Sequence, residues 1–291
     1  MALSVLTLNL WHDSGPWERR AERIRAWIDR LDPDLIGFQE ALRGDGRDQL
    51  DELLGDRPYH RDYVCATRFK RDGHAFPEGE FGNAVASRFP ITDREELRLP
   101  DAGDGETRAA LSVTVEAPFG AVGFTCAHLN WKFRHAEVRE RQVVALCELA
   151  LRRRPRDGFP PILVGDFNAE PDSAEIRYVT GLQSLAGGSV AFLDAWRMSG
   201  DGGSGFSWSN ENRYARSALE PDRRIDYVFA GFPQRNGLGQ ITHCRVVCND
   251  ERDGVWPTDH YGVYAELRVE PLSGLEQEWG LAGGDDVHAG S

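Results

Sequence analysis

Several apolar runs of this chain end in residues suited to chemistry instead of turn formation. Asn9 follows VLTL, Glu40 follows LIGFQ, His128 follows FTCA, and Asp166 and Asn168 follow ILVG. Asp259 and His260 precede the last apolar run, and Asp226 sits just inside a sixth, RIDYVF. Each has a plain reading. A Glu at a strand end is usually a cap or a surface group, Asn9 could form a turn, and Asp166-Phe167-Asn168 could be an Asx-turn entering a loop. His128 could be a satisfied core histidine, and Asp259-His260 could cap a loop. The conjunction is stronger than its parts. A sheet edge that collects carboxylates, amides and imidazoles reads as one shared site.

The residue types fit hydrolysis of a phosphate ester. Mg²⁺ is a hard cation that takes oxygen ligands and keeps several waters, so one or two carboxylates and an amide oxygen suffice. Glu40, Asn9 and Asp259 offer that set, and no His/Cys-rich set competes, which argues against zinc. The reaction needs a base for water, stabilisation of the equatorial oxygens and help for the leaving oxygen. His260 can be the base if a carboxylate fixes its tautomer, and Asp226 can be that carboxylate. His128 and Asn168 can donate to phosphoryl oxygens. Asp166 can position the water or protonate the leaving group.

Those residues need strands to carry them. Leu3 to Leu10 reads as a buried strand. Trp17, Ala21, Ile24, Trp27, Ile28 and Leu31 recur at helical spacing until Asp32-Pro33-Asp34 stops them. Leu35 to Phe38 reads as a short strand with Glu40 at its tip. Residues 43–58 read as helix plus loop, and 68–80 as an exposed loop. Ala84 to Ile91, Ala109 to Val115 and Val122 to Cys126 read as strands, the last two as a hairpin. Residues 134–154 form the clearest helix. Further strands are expected at Pro160 to Val164, Ile225 to Ala230, Cys244 to Cys248 and Tyr261 to Val269. A short helix is expected at Asp172 to Thr180, and residues 199–216 read as a Gly/Ser/Asn-rich loop.

Composition narrows the class. The chain of 291 residues has 41% hydrophobic residues and eight Trp, enough for a substantial core, with no sign of global disorder. Residues 1–271 are expected to form one domain, with 272–291 as a C-terminal tail. The net charge of −13 disfavours nonspecific binding to nucleic acid, although metal-binding carboxylates contribute to that total. The five cysteines are sparse and odd in number, so reduced thiols are expected, not a disulfide framework. Cys244, Cys248 and His243 lack the second pair a zinc site needs. The first residues lack the basic and small-residue features of a signal peptide, and no apolar run is long enough for a membrane helix. A soluble, cytoplasmic monomer is therefore expected.

The chain also resembles the endonuclease/exonuclease/phosphatase superfamily. The matching stretches are TLNLW (7–11), DLIGFQEA (34–41), GNAVASRFPI (82–91), CAHLNW (126–131), LVGDFNAEPDS (163–173), RRIDYVFAG (223–231) and PTDHYGVYAEL (257–267), in the family's order. The resemblance implies a four-layer α/β sandwich of two mixed β-sheets packed face to face, and Mg²⁺ or Mn²⁺ dependence. It makes Glu40 the main metal ligand with Asn9 and Asp259 nearby, and Asp166 and Asn168 catalytic. It pairs His260, as base, with Asp226, and makes His128 a phosphate contact. Arg108, in ETRAAL, resembles a phosphate-facing arginine, although an Arg before a strand also has a plain surface reading. Glu80 is offered as the carboxylate beside His128.

The leading expectation is a phosphodiesterase on a small-molecule or headgroup diester. A nuclease acting on single-stranded or damaged nucleic acid is the alternative. A sphingomyelinase, an inositol-phosphate phosphatase and an inactive binding module stand further off. The segment Trp131-Lys132-Phe133-Arg134 reads either as a substrate contact or as a solvated helix start.

Overall fold

Alternating and continuous apolar runs build two sheets in this computed structural model, which describes residues 2–70, 76–156 and 158–272. The strands are β1 (Ala2–Asn9), β2 (Leu35–Gly44), β3 (Arg47–Asp48), β4 (His60–Lys70), β5 (Glu78–Ser87), β6 (Ile91–Arg98), β7 (Ala109–Ala117), β8 (Gly120–His128), β9 (Ile162–Asp166), β10 (Leu193–Asp194), β11 (Asp226–Ala230), β12 (Ile241–Val247) and β13 (Gly262–Arg268). The helices are α1 (Trp17–Leu31), α2 (Gln49–Leu54), α3 (Ala136–Arg152), α4 (Ala174–Val179), α5 (Ala195–Ser199) and α6 (Arg213–Arg216). One sheet runs β12-β13-β1-β2-β5-β4, with β3 beside β2; the other runs β10-β11-β9-β8-β7-β6. Both mix parallel and antiparallel pairs, for β1 is parallel to β2 and β8 to β9.

Strand alternation sends one set of side chains inward and the other toward the helices. Val5, Leu35, Val85, Val113, Phe124, Val164, Val228 and Val263 fill the space between the sheets. Leu6, Leu8, Ile36 and Phe38 face outward and meet Trp17, Ile24 and Ile28 of α1. On the other outer face, Leu163 and Phe229 meet Val143, Leu146 and Ile176 of α3 and α4. The result is a four-layer α/β sandwich. Each fully buried Leu or Ile contributes roughly 1.5–3 kcal/mol. The sheets approach closely at Gly37, where a Cβ would come within 2.5 Å of Val164 Cγ2 and 3.1 Å of Cys126 Sγ.

Three expectations change. β2 does not end at Glu40 but continues to Gly44, with a bulge between Phe38 and Ala41. Residues 68–70 and 78–80 are strand, not loop, because β4 and β5 form a hairpin there; 71–75 lie outside the described residues. β6 is a strand where none was read. Its sequence ITDREELR carries no apolar stripe, since it is an edge strand with mostly solvent-facing side chains. Of the expected tail, 273–291 lie outside the described residues. Leu272 is anchored, its N–H donating to the Asn236 carbonyl at 2.7 Å. No helix among the described residues is long and apolar enough to cross a membrane. The five cysteines are free thiols.

Candidate active site

Sheet register assembles the centre of the site. Asp166 of β9 is the direct partner of His128 on β8 and of Asp226 on β11. Residues paired across adjacent strands share a face, so these three side chains stand in one row. They have the parity of Val164, Cys126 and Val228, and so project between the sheets. From the facing sheet comes Asn9, with the parity of Val5. The inter-sheet layer turns polar toward this end. Thr7 Oγ1 donates to Gln39 Oε1 at 3.2 Å, and Gln39 Nε2 donates to Cys126 Sγ at 3.2 Å.

A buried hydrogen-bond network joins the row. Asn9 Nδ2 donates to Asp166 Oδ2 at 3.0 Å, and the Asn168 N–H donates to Asp166 Oδ1 at 2.9 Å. Asn168 Nδ2 donates to His128 Nε2 at 3.0 Å. Asn168 adopts a left-handed φ of 49°, which returns its side chain toward the strand it has just left. Gly165 before Asp166 has φ 152°, and a Cβ there would lie 2.0 Å from the Ala127 carbonyl oxygen, so this position of GDFN requires glycine.

His260 lies in the irregular segment before β13. Its Nδ1 donates to Asp226 Oδ2 at 2.8 Å, and its Nε2 lies 3.8 Å from Asp166 Oδ2. Thr258 Oγ1 donates to the Asn9 carbonyl at 2.8 Å, tying this segment to the end of β1. The segment 199–216, read from sequence as a Gly/Ser/Asn-rich loop, ends in the short helix α6 and supports the same group. Ser207 Oγ accepts from the N–H groups of Ile225 and Asp226 at 3.1 and 3.0 Å, and the Ser207 carbonyl accepts from Tyr261 at 2.6 Å. Asn212 Nδ2 donates to the Thr258 carbonyl at 2.7 Å, and the Trp208 ring lies edge-on to His260 at 5.0 Å. The sequence reading missed Ser207, Trp208, Asn212 and Thr258. Their one signal was the density of hydrogen-bonding residues in SWSNEN and PTDH.

Glu40 and Asp259 lie to one side. Glu40 sits at the β2 bulge with φ 58°, which breaks the alternation that would otherwise send it outward. Among the described residues its carboxylate has no hydrogen-bond or ion-pair partner. Asp259 Oδ1 lies 3.1 Å from Thr258 Oγ1, whose one proton it shares with the nearer Asn9 carbonyl. Burial raises the Asp259 carboxyl to about 6, with the negative charge of Glu40 adding to the shift and His260 and Arg20 opposing it. Arg20 is fully buried beneath them and donates to the carbonyls of Leu10, Ser14, Pro257, Trp11 and His12.

Burial lifts Asp166 to about 7, helped by the Asp226 charge. Burial alone would lower His260, but Asp226, Asp166 and Asp259 outweigh it and hold the imidazole well above its usual value. Burial, Arg108 and His260 keep His128 neutral. Its Nδ1 is buried without a hydrogen-bond partner. Arg108 is also buried, pairing with Glu106 at 2.8 Å and leaving Nη1 unpartnered. That replaces the plain surface reading of this arginine. Glu80 does not partner His128; it pairs with Arg68 at 3.1 Å, because its β5 position faces β4 at Arg68.

Two groups here could hold a cation. Asp166, Asp226 and His260 offer ligand atoms all within 4.8 Å of one another. In that group His260 is bonded to Asp226 and Asn9 to Asp166, while Asp226 Oδ1 is buried without a hydrogen-bond partner. Glu40 and Asp259 are two carboxylates, the Glu40 charge helping to raise Asp259, and their hard oxygen donors fit a divalent cation.

Residues 6–260 match the endonuclease/exonuclease/phosphatase family. YbhP, an uncharacterised protein of Escherichia coli K12, is 27% identical over 175 residues, covering 57% of this chain and 67% of that one. An endonuclease/exonuclease/phosphatase structure from Beutenbergia cavernae superposes with a TM-score of 0.69 at 24% identity, covering 92% of this chain and 71% of that one. D. rerio TDP2, solved with a single-strand DNA product, gives 0.71 at 18% identity, covering 92% of this chain and 99% of that one. At these identities the solved structures show a shared fold.

Proposed function

The chain belongs to the endonuclease/exonuclease/phosphatase family and is a phosphoric-ester hydrolase; on that premise we propose that it cleaves a phosphodiester with Mg²⁺ or Mn²⁺ held by Glu40, Asp259 and the Asn9 amide oxygen. The observation that carries this reading is the buried pairing of two hydrogen-bonded groups, Asp226 with His260 and Asp166 with Asn9, Asn168 and His128, which face each other across 3.8 Å between His260 and Asp166.

When bound, the cation would supply positive charge to a phosphoryl oxygen and to the departing oxygen. The chain's own residues handle the proton and the orientation. Asp226 holds His260 through Nδ1, so Nε2 faces the reacting centre and serves as the base for water in the fraction of molecules whose imidazolium has lost its proton, a fraction that grows as pH rises toward the raised value. The Nε2 atom lies 3.8 Å from Asp166 Oδ2. Asp166, lifted to about 7 by burial, can position the attacking water beside His260 or give its proton to the leaving oxygen. Asn168, His128 and Arg108 supply hydrogen bonds and charge to the non-bridging oxygens, with the unpartnered His128 Nδ1 and Arg108 Nη1 as available donors.

The substrate in this proposal is a small or single-stranded diester, because a chain of net charge −13 is poorly suited to a long duplex. The test is hydrolysis of bis-(4-nitrophenyl) phosphate, a dinucleotide, plasmid and single-stranded DNA. Chelation should abolish activity and Mg²⁺ or Mn²⁺ should restore it. Full activity in excess chelator would refute the metal role. Glu40→Ala should stay folded and weaken metal affinity.

A further inference from the structure

Two large apolar side chains beside the site are not buried by the fold. Trp131 is 53% exposed and Phe133 56%, on the loop that directly follows His128. Scattered exposed apolar residues are ordinary. These two stand on a loop fixed from below. The Asn130 N–H donates to the buried Gln142 Oε1 at 2.9 Å, and the Lys132 N–H to Asn130 Oδ1 at 3.0 Å. Arg139, ion-paired with Glu175 at 2.8 Å, donates to the carbonyls of Asn130 and Lys132 at 3.3 and 2.8 Å. The backbone carrying the rings is ordered on folding, so a ligand placed against them costs little additional ordering.

A second observation connects them to the chemistry. The Arg223 guanidinium lies 4.5 Å from the Phe133 ring centre and 5.9 Å from that of Trp208, and Trp208 is edge-on to His260 at 5.0 Å. Phe133, Arg223 and Trp208 thus form a path from the rim to His260. Arg223 Nε and Trp208 Nε1 are buried without hydrogen-bond partners. The two exposed rings are interrupted by charged side chains, Lys132 ion-paired with Asp104 and Glu106 between them, and the buried Arg223, ion-paired with Glu220, against Phe133. An acyl chain would require unbroken apolar area. A flat ring with an apolar face and polar edges suits aromatic and guanidinium planes.

Resting on the phosphodiesterase reading above, we propose that Trp131 and Phe133 form a stacking shelf for a nucleobase carried by one group esterified to the phosphate. The substrate is then a base-bearing diester, drawn from a free dinucleotide or from a single strand.

The experiment compares thymidylyl-thymidine with the same dinucleotide lacking both bases, following product formation in Mg²⁺ or Mn²⁺. Neither substrate has an aromatic leaving group that could occupy the shelf by itself. The wild-type protein should prefer the base-bearing diester by about tenfold or more in kcat/KM, mostly through KM. The combined Trp131→Ala and Phe133→Ala protein should bring that ratio toward one. Trp131→Phe with Phe133→Trp should keep it, because the aromatic faces remain. Either a wild-type ratio near one or equal losses on both substrates overturns the shelf. If bis-(4-nitrophenyl) phosphate is cleaved and neither dinucleotide is, the shelf falls and the phosphodiesterase reading stands. If none of the three is cleaved, the phosphodiesterase reading fails, and the shelf with it. A rise in kcat/KM from the dinucleotide to oligothymidylate assigns the base to a strand, and a constant value assigns it to the small diester; both support the shelf.

Discussion

His260 concentrates the chemistry because three carboxylates surround one imidazole. Removing a general base lowers rate by roughly 10²–10⁴-fold. His260→Ala should fall within or beyond that range in kcat, with little change in metal affinity by titration calorimetry. Asp226→Asn should also lose activity, since an amide neither fixes the tautomer nor stabilises the imidazolium. Normal turnover in either variant would remove His260 and Asp226 from the mechanism. These residues were legible because each stands at the end of an apolar run. Their register was not, since pairing of Asp166 with both His128 and Asp226 depends on which strands are neighbours. Glu80 shows the cost of guessing register: its β5 position faces Arg68, not His128.

At the scale of elements, the site depends on how β1, β2 and the segment before β13 are held together. Arg20 does this from α1, donating to carbonyls on both sides of the cleft, from Leu10 to Ser14 and at Pro257. The sequence analysis does not single out Arg20, although it stands three residues after Trp17 and four before Ile24, within the apolar stripe of α1; only tertiary contacts reveal what its buried guanidinium holds. Leaving buried acceptors without donors costs about 1–3 kcal/mol each. Arg20→Met should therefore destabilise by at least about 3 kcal/mol, or roughly 6–12 °C in melting temperature. Its kcat should also fall, as Asn9 and Asp259 lose their fixed separation. Calorimetry and kinetics of one preparation check both. A melting temperature within a degree or two of wild type would mean the arginine clamps nothing. The elements most legible in sequence were α1, with its helical spacing of apolar residues, and β9, a continuous apolar run. β6 and the β2 bulge were hidden because an edge strand needs no apolar stripe and a bulge breaks the alternation that reveals strands.

For the whole molecule, the net charge of −13 predicts weak affinity for plain duplex DNA even at low salt, measured by anisotropy. Tight binding at moderate salt would reverse the substrate preference proposed above. The buried acids also predict how global stability responds to pH. Burial and Asp226 raise Asp166 from 3.8 to about 7, and burial and Glu40 raise Asp259 from 3.8 to about 6. Across that window the native protein holds protons that the unfolded chain has released. Stability therefore falls as pH rises. His260 has the same sign. Its folded value lies above 6.5, so its contribution is complete below 6.5 and is lost as pH climbs through the raised value. The cation proposed at Glu40 and Asp259 would take the place of the Asp259 proton as compensating charge, and would bind better once that proton has left. In chelator, the melting temperature should decline from about pH 5.5 to about pH 8. Excess Mg²⁺ should raise it more at the upper end than at the lower, and Glu40→Ala should shrink that difference. A Mg²⁺ effect that is equal at both ends, or that survives Glu40→Ala intact, would place the cation away from these carboxylates.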